Sequence, residues 1–299
     1  MKLNRIFKTI SLLAVSATLT FAVSSCNPEG CTDDTATNYD SKAKKDDGSC
    51  TYAKADYDVT GLKEVGSGYA AGAQIKIYSK MDLFAGYNFL YILTLDSASG
   101  DYLGQGHMSI NPMMDMGTMM HSAPVENPTS DMPTMNGLYE AQVFFVMPSM
   151  AGTWELNVEY HNHDLGSTAI AAIPVTVMQS TDRVMASFRD STTAMNTPIF
   201  LGYVLPEEPQ IGLNDIEIVV FYRKDMNTWP AENGVTLEIE PTMPSMGHGS
   251  PNNVNPTFMG DGHYKGKVNY TMSGLWKIDV KVSRSGNVIS NNTYFEVTL

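Results

Sequence analysis

Cationic residues are scarce in this 299-residue chain: 19 Lys and Arg stand against 32 Asp and Glu, a formal charge of −13 at pH 7. A surface of that sign repels phosphate backbones and anionic headgroups, which excludes nucleic acid and electrostatic docking on acidic lipid. Cysteine is scarcer still, three residues in all. Once those three are assigned below, no free thiol is left for a blue-copper centre. Long apolar runs are nearly absent too. The one run near the N-terminus, Thr9 to Ser25, is too short and too diluted by Ser and Thr for a good membrane span, and no later stretch would cross a bilayer. No Ser-His-Asp order, paired acid set or phosphate loop stands out, so the chain reads as a binding protein and not as an enzyme.

What is present begins with a leader. Lys2, Arg5 and Lys8 precede an apolar run holding Ile10, Leu12, Leu13, Leu19, Phe21 and Val23, the pattern of a secretory signal peptide over 1–25. It closes on Val23-Ser24-Ser25-Cys26, which resembles the lipobox of bacterial lipoproteins. That resemblance implies lipidation of Cys26 and loss of the residues before it. The membrane is then a partner through a lipid anchor, and the chain belongs to the cell envelope, at the outer membrane, on its periplasmic or surface side. Cys31 and Cys50 remain, and in an oxidising compartment pairing is their default. The stretch from Gly30-Cys31-Thr32-Asp33 to Asp46-Asp47-Gly48-Ser49-Cys50 resembles a short Cys-bounded segment of exported Bacteroidetes proteins. Residues 26–53 are therefore expected to hold the lipid-anchor Cys and a disulfide-closed linker.

Beyond residue 53 about 245 residues remain, room for one large or two ordinary domains, and they repeat. Gly86-Tyr87-Asn88 is echoed by Gly212-Leu213-Asn214, each opening an apolar run. Ser109-Ile110-Asn111-Pro112 matches Glu238-Ile239-Glu240-Pro241, and Gly137-Leu138-Tyr139 matches Gly262-His263-Tyr264. Met147 matches Met272, and Gly152-Thr153-Trp154 matches Gly274-Leu275-Trp276. Shared order along the chain makes this a duplication. Within each copy the alternation is that of half-buried strands: Trp154, Leu156, Val158 and Tyr160 against Glu155, Asn157 and Glu159, and Trp276, Ile278, Val280 and Val282 against Lys277, Asp279 and Lys281. Short strands with frequent Gly and Pro turns predict an all-β chain of two tandem immunoglobulin-like β-sandwich domains, 54–180 and 181–299, with both tryptophans in the cores.

Methionine is abundant, 20 residues, and concentrates after the third strand of each copy. Met108, Met113, Met114, Met116, Met119, Met120 and His121 fall there in the first copy, and Met243, Met246 and His248 in the second. Pro112, Pro124, Pro241, Pro244 and Pro251, with Gly117, Gly247 and Gly249, predict irregular loops. Aligned, the copies share a Met-Met-His set: Met114 with Met243, Met119 or Met120 with Met246, and His121 with His248. Thioethers bind Cu(I), carry no proton to lose and cannot form disulfides, and an imidazole adds a donor that also suits Cu(II). Zinc and iron would call for Cys, carboxylate or several His, which these loops lack. Copper is the expected cofactor, with a copper-donating or copper-receiving protein as partner. The competing expectation is a structural or adhesive surface protein whose domains hold no metal and use Met as flexible filler or sticky surface. Met147 and Met272 fall on the buried strand face and read as packing; Met132, Met135 and Met259 fit either role. His161 and His163 read as a solvated turn, and His107 and His263 have no aligned His.

Residues Met243 to Val282 resemble the YtkA-like and FixH families, whose pattern runs Met, Met, His, a gap, Gly-x-Tyr, Met, Gly and Trp. Here it is Met243, Met246, His248, Gly262-His263-Tyr264, Met272, Gly274 and Trp276. The first copy carries it with longer insertions as Met114, Met119 or Met120, His121, Gly137-Leu138-Tyr139, Met147, Gly152 and Trp154. The resemblance implies an immunoglobulin-like fold, an exported or membrane-attached location and, for FixH, copper delivery to respiratory oxidases. The chain departs from FixH by lacking a transmembrane helix and by carrying two modules.

Overall fold

The computed structural model describes residues 28–34, 36–51, 57–134, 136–206 and 208–299. The signal peptide, Cys26 and Met135 lie outside the described residues. The described residues up to 51 and those from 57 onward belong to separate compact units. In the first, Cys31 and Cys50 are joined in a disulfide, the pairing expected from the sequence. A short bridge between Glu29 and Lys45, backed by a 2.7 Å ion pair of their side chains, closes the same segment.

The second unit is built of strands. In chain order its first half has β1 (Lys63–Ala70), β2 (Ala73–Ser79), β3 (Gly86–Asp96), β4 (Gly106–Asp115), β5 (Met120–Ser122), β6 (Val125–Glu126), β7 (Tyr139–Phe145), β8 (Thr153–Asn162) and β9 (Ser167–Val175). The second half has β10 (Met185–Asp190), β11 (Thr197–Tyr203), β12 (Gly212–Tyr222), β13 (Thr236–Met243), β14 (His248–Gly249), β15 (Val254–Gly260), β16 (His263–Tyr270), β17 (Leu275–Arg284) and β18 (Asn287–Thr298). The sheets are ordered β1-β2-β3-β7-β6 and β5-β4-β8-β9 in the first half, and β10-β11-β12-β16-β15 and β14-β13-β17-β18 in the second. Setting aside the added edge strands β1 and β10, each half is an A-B-E-D sheet packed on a C′-C-F-G sheet. That is the strand order of an immunoglobulin-like sandwich, made twice.

The alternation seen in the sequence is what fills the cores. Trp154, Leu156, Val158 and Tyr160 are at most 1% exposed, as are Trp276, Ile278, Val280 and Val282, each burial being worth about 1.5–3 kcal/mol. Duplication extends to single hydrogen bonds. Asn88 accepts from the Phe84 N–H and donates to the Phe84 and Gly86 carbonyls; Asn214 makes the same three bonds with Gln210 and Gly212. The glycine two residues before each Asn sits at positive φ, 146° for Gly86 and 114° for Gly212, where a Cβ would strain the backbone. Ile110 and Ile239 likewise donate their N–H groups to Asn127 and Asn255.

The two sandwiches meet through the outer faces of their A-B-E-D sheets. Tyr87 and Phe144 from the first half and Val204, Val219 and Phe221 from the second form one buried cluster, and Phe84 of the first half belongs to the core of the second. The first half therefore lends the second part of its core.

Candidate functional site

The Met-rich stretches are hairpins of strand and not irregular loops, which corrects the reading made from their Pro and Gly content. Met108, Met113 and Met114 lie on β4, His121 on β5, Met243 on β13, His248 on β14 and Met259 on β15. Proline is tolerated at 112 and 241 because β5 pairs with β4 only over Met113–Asp115, and β14 with β13 only over Thr242 and Met243. On that edge the missing N–H has no partner to serve.

In each hairpin one Met and one His are direct cross-strand partners: Met114 with His121, and Met243 with His248. Opposed residues of an antiparallel pair emerge on the same face, here the face of the tryptophan. The His121 ring lies 5.5 Å from that of Trp154 at 86°, and the His248 ring 6.0 Å from that of Trp276 at 71°. Each Trp indole N–H donates to a Met carbonyl, Met147 at 2.9 Å and Met272 at 3.0 Å. The small residue before each Trp strand has a packing cause. A Cβ on Gly152 would come 2.4 Å from the Asp115 carbonyl and 3.1 Å from the Met114 methyl, and one on Gly274 would come 2.8 Å from the Met243 methyl. Packing thus accounts for the Gly and Trp of the pattern together with Met114 and Met243.

Of the seven expected ligands, Met114 and Met243 are core residues, 0% and 3% exposed. Met119, Met120 and Met246 are exposed at 49%, 53% and 61%. Met120 pairs with Asp115 and so emerges opposite to its neighbour His121. The imidazoles differ from all of these. His121 is 4% exposed; its Nδ1 lies 2.8 Å from the Ser122 carbonyl, while its Nε2 is buried with no hydrogen-bond partner. In His248 the Nδ1 sits 3.0 Å from the Gly249 carbonyl, the same arrangement on a half-buried side chain. A carbonyl at Nδ1 fixes the proton there and leaves the Nε2 lone pair free. Among the described residues no group of three or more His, Cys, Asp or Glu is placed to hold a metal ion. Met147 is half-buried against the first core and Met272 is 36% exposed, so the packing role expected of both is only partial.

The remaining histidines are dispersed. His161 and His163 have ring centroids 5.2 Å apart, with the Nδ1 of His161 2.7 Å from the Thr168 hydroxyl, and His107 pairs with Asp131 at 3.0 Å. His263, unremarkable by sequence, sits between the halves. Its Nδ1 is 2.6 Å from Glu217 and its Nε2 3.0 Å from Glu126, whose carboxylate also accepts from the Tyr87 hydroxyl. The hydrogen bonds it donates to Glu126 and Glu217 raise its pKa to about 9 against the opposing effect of burial. Burial works to raise the Glu217 carboxyl, but His263 and Lys265 outweigh it and hold it below the usual range. No sequence signal joins residues so far apart in the chain. Beside this bridge a cleft of about 520 Å³ opens between the halves, lined by Phe84, Tyr87, Phe89, Tyr91, Glu208 and Glu217 among others.

Residues 202–281 match the YtkA-like family. No curated protein matches the sequence. Solved structures that resemble the chain include the Escherichia coli adhesin FdeC, 14% identical over 77% of this chain and 65% of that one, with a TM-score of 0.24. The Yersinia pseudotuberculosis adhesin InvE is 14% identical over 83% and 61%, TM-score 0.22, and the D00-D0 domain of intimin 11% identical over 75% and 100%, TM-score 0.22. The chain thus spans under two thirds of the FdeC and InvE chains, and superpositions this loose carry no argument about what it does. No helix among the described residues is long and apolar enough to cross a membrane.

Proposed function

We propose, from the YtkA-like match over 202–281 and the doubled immunoglobulin-like topology, that the chain is an exported surface or envelope protein that binds and does not catalyse. The broader reading needs no metal: the modules hold another macromolecule. The observation that carries it is the fold itself, two sandwiches locked back to back by a buried apolar cluster with a cleft of about 520 Å³ left open between them. Lipidation at Cys26 belongs to this proposal. Attachment of cells to their partner surface, with and without the protein, tests it; equal attachment counts against it.

A finer reading, copper binding, is favoured by one observation: the buried, partnerless Nε2 of His121. Leaving a polar atom unpaired in the interior costs about 1–3 kcal/mol, a cost that a ligand on that nitrogen removes. In this reading the imidazoles of His121 and His248 hold Cu(I), and thioethers complete each set. Met114 and Met243 stand opposite the imidazoles on the same face, and Met119 and Met246 each lie two residues before the His. Met120 drops out because it faces away. The metal would be cargo for capture, buffering or delivery to a copper-handling protein. Competition against a Cu(I) chelator tests it: about one Cu(I) per module, with much weaker Zn(II) binding, supports copper. No uptake leaves the metal-free surface protein.

A further inference from the structure

The two imidazoles occupy equivalent places in their modules but not equivalent surroundings. His248 lies on an edge hairpin whose turn, residues 244–247, is exposed. His121 lies on a hairpin that is tied to the other half of the molecule. Next to it, the Ser122 N–H donates to the Met226 carbonyl at 2.8 Å, tying β5 to the turn between β12 and β13. Trp229 and Phe200, both of the second half, pack against the first core and against each other, ring centroids 5.1 Å apart. His121, Ser122 and Ala123 are 4%, 2% and 3% exposed, the His121 ring packing on Trp154 of its own module and Ser122 meeting the other half. The Trp229 indole N–H is also buried without a partner, so two of the unsatisfied polar atoms belong to groups at this junction.

We infer that the two Met–His sites are kinetically unequal: the second module's is an open exchange site, and the first module's is a closed one that the second module roofs with the turn carrying Met226 and Trp229. This rests on the copper reading and adds to it a division of labour. Soft metal enters and leaves at His248 by side-chain motion alone, whereas reaching the His121 Nε2 requires the inter-module junction to open. The fold explains how one duplicated sequence yields both behaviours, because the first hairpin is bonded to the other module through Ser122 and Met226, whereas the turn of the second is exposed. A partner that takes copper quickly would draw on the second site, and the first would retain it.

The test uses the mature chain and Cu(I) itself. His248→Phe leaves only the closed site and His121→Phe only the open one, with Phe keeping most of the imidazole's bulk. After loading, release to excess bathocuproine disulfonate is followed by stopped-flow absorbance. Release from His248→Phe is expected to be at least about tenfold slower than from His121→Phe. Adding Trp229→Ala to His248→Phe should remove most of that difference, and adding it to His121→Phe should change little. Release rates within about twofold of each other, or a closed site indifferent to Trp229→Ala, overturn the inference while copper binding stands. If neither variant nor the wild-type chain takes up Cu(I), the copper reading falls and the inference with it.

Discussion

Raising the pH should loosen the join between the two sandwiches through one residue, His263. Its ring nitrogens lie 2.6 and 3.0 Å from the carboxylates of Glu217 and Glu126, and both can donate only when the imidazole is charged. The folded pKa of about 9 exceeds the ordinary 6.5. A raised pKa means stability that is fully present below pH 6.5 and lost as pH climbs through 9. At about 1.4 kcal/mol per tenfold change in proton affinity, the full shift corresponds to about 3 kcal/mol. Sharing one imidazole between two partly solvated carboxylates, whose side chains are 29% and 24% exposed, brings the expected range to about 1–3 kcal/mol. For a unit of this size that is roughly 3–10 °C in Tm. Thermal unfolding of wild type and His263→Gln from pH 6 to pH 10 reads it directly. The wild-type advantage should be greatest near pH 6 and shrink steadily to pH 10. A difference between the two proteins that stays constant across that range would refute the reasoning.

Three further outcomes are expected. Asn88→Ala strips the partners from buried backbone groups of Phe84 and Gly86 and should cost about 1–3 kcal/mol in chemical denaturation; the same change at the more exposed Asn214 should cost less, and equal costs would contradict the burial argument. A fragment of residues 181–299 should unfold cooperatively but at a lower temperature than the intact chain, because it loses Phe84 from its core and bares Val219 and Phe221; unchanged stability would contradict the shared interface. Globomycin, which blocks lipoprotein signal peptidase, should leave the precursor uncleaved, and normal processing in its presence would remove lipidation at Cys26.

The parts of the fold that could be read in the sequence are those with a local or repeating cause. Period-two alternation around Trp154 and Trp276 placed the strands and their buried faces, and the ordered anchors gave two copies of one sandwich. The strand residues Met108, Met113, Met114 and Met243 were read as part of irregular loops because Pro and Gly punctuate those stretches. Here the proline lies on an edge that pairs for only two or three residues beyond it, a feature set by where the chain turns and not by composition. Shared alignment picked out Met-Met-His but could not tell buried from exposed thioethers, since Met114 and Met120 differ only in which face of a hairpin they take. The Glu126–His263–Glu217 bridge and the Ser122–Met226 bond beside His121 had no sequence signal, because both arise from packing one module on the other.

The most direct measurement is Cu(I) stoichiometry by chelator competition, on the wild-type mature chain and on a variant with Met114, Met119, Met243 and Met246 changed to Leu and His121 and His248 to Phe. These changes keep apolar bulk while removing every proposed donor atom. About two Cu(I) in the wild type and none in the variant, with similar melting temperatures, is the predicted result. Equal copper uptake by the two proteins would contradict the assignment of these residues, and no uptake by either would leave a metal-free surface protein.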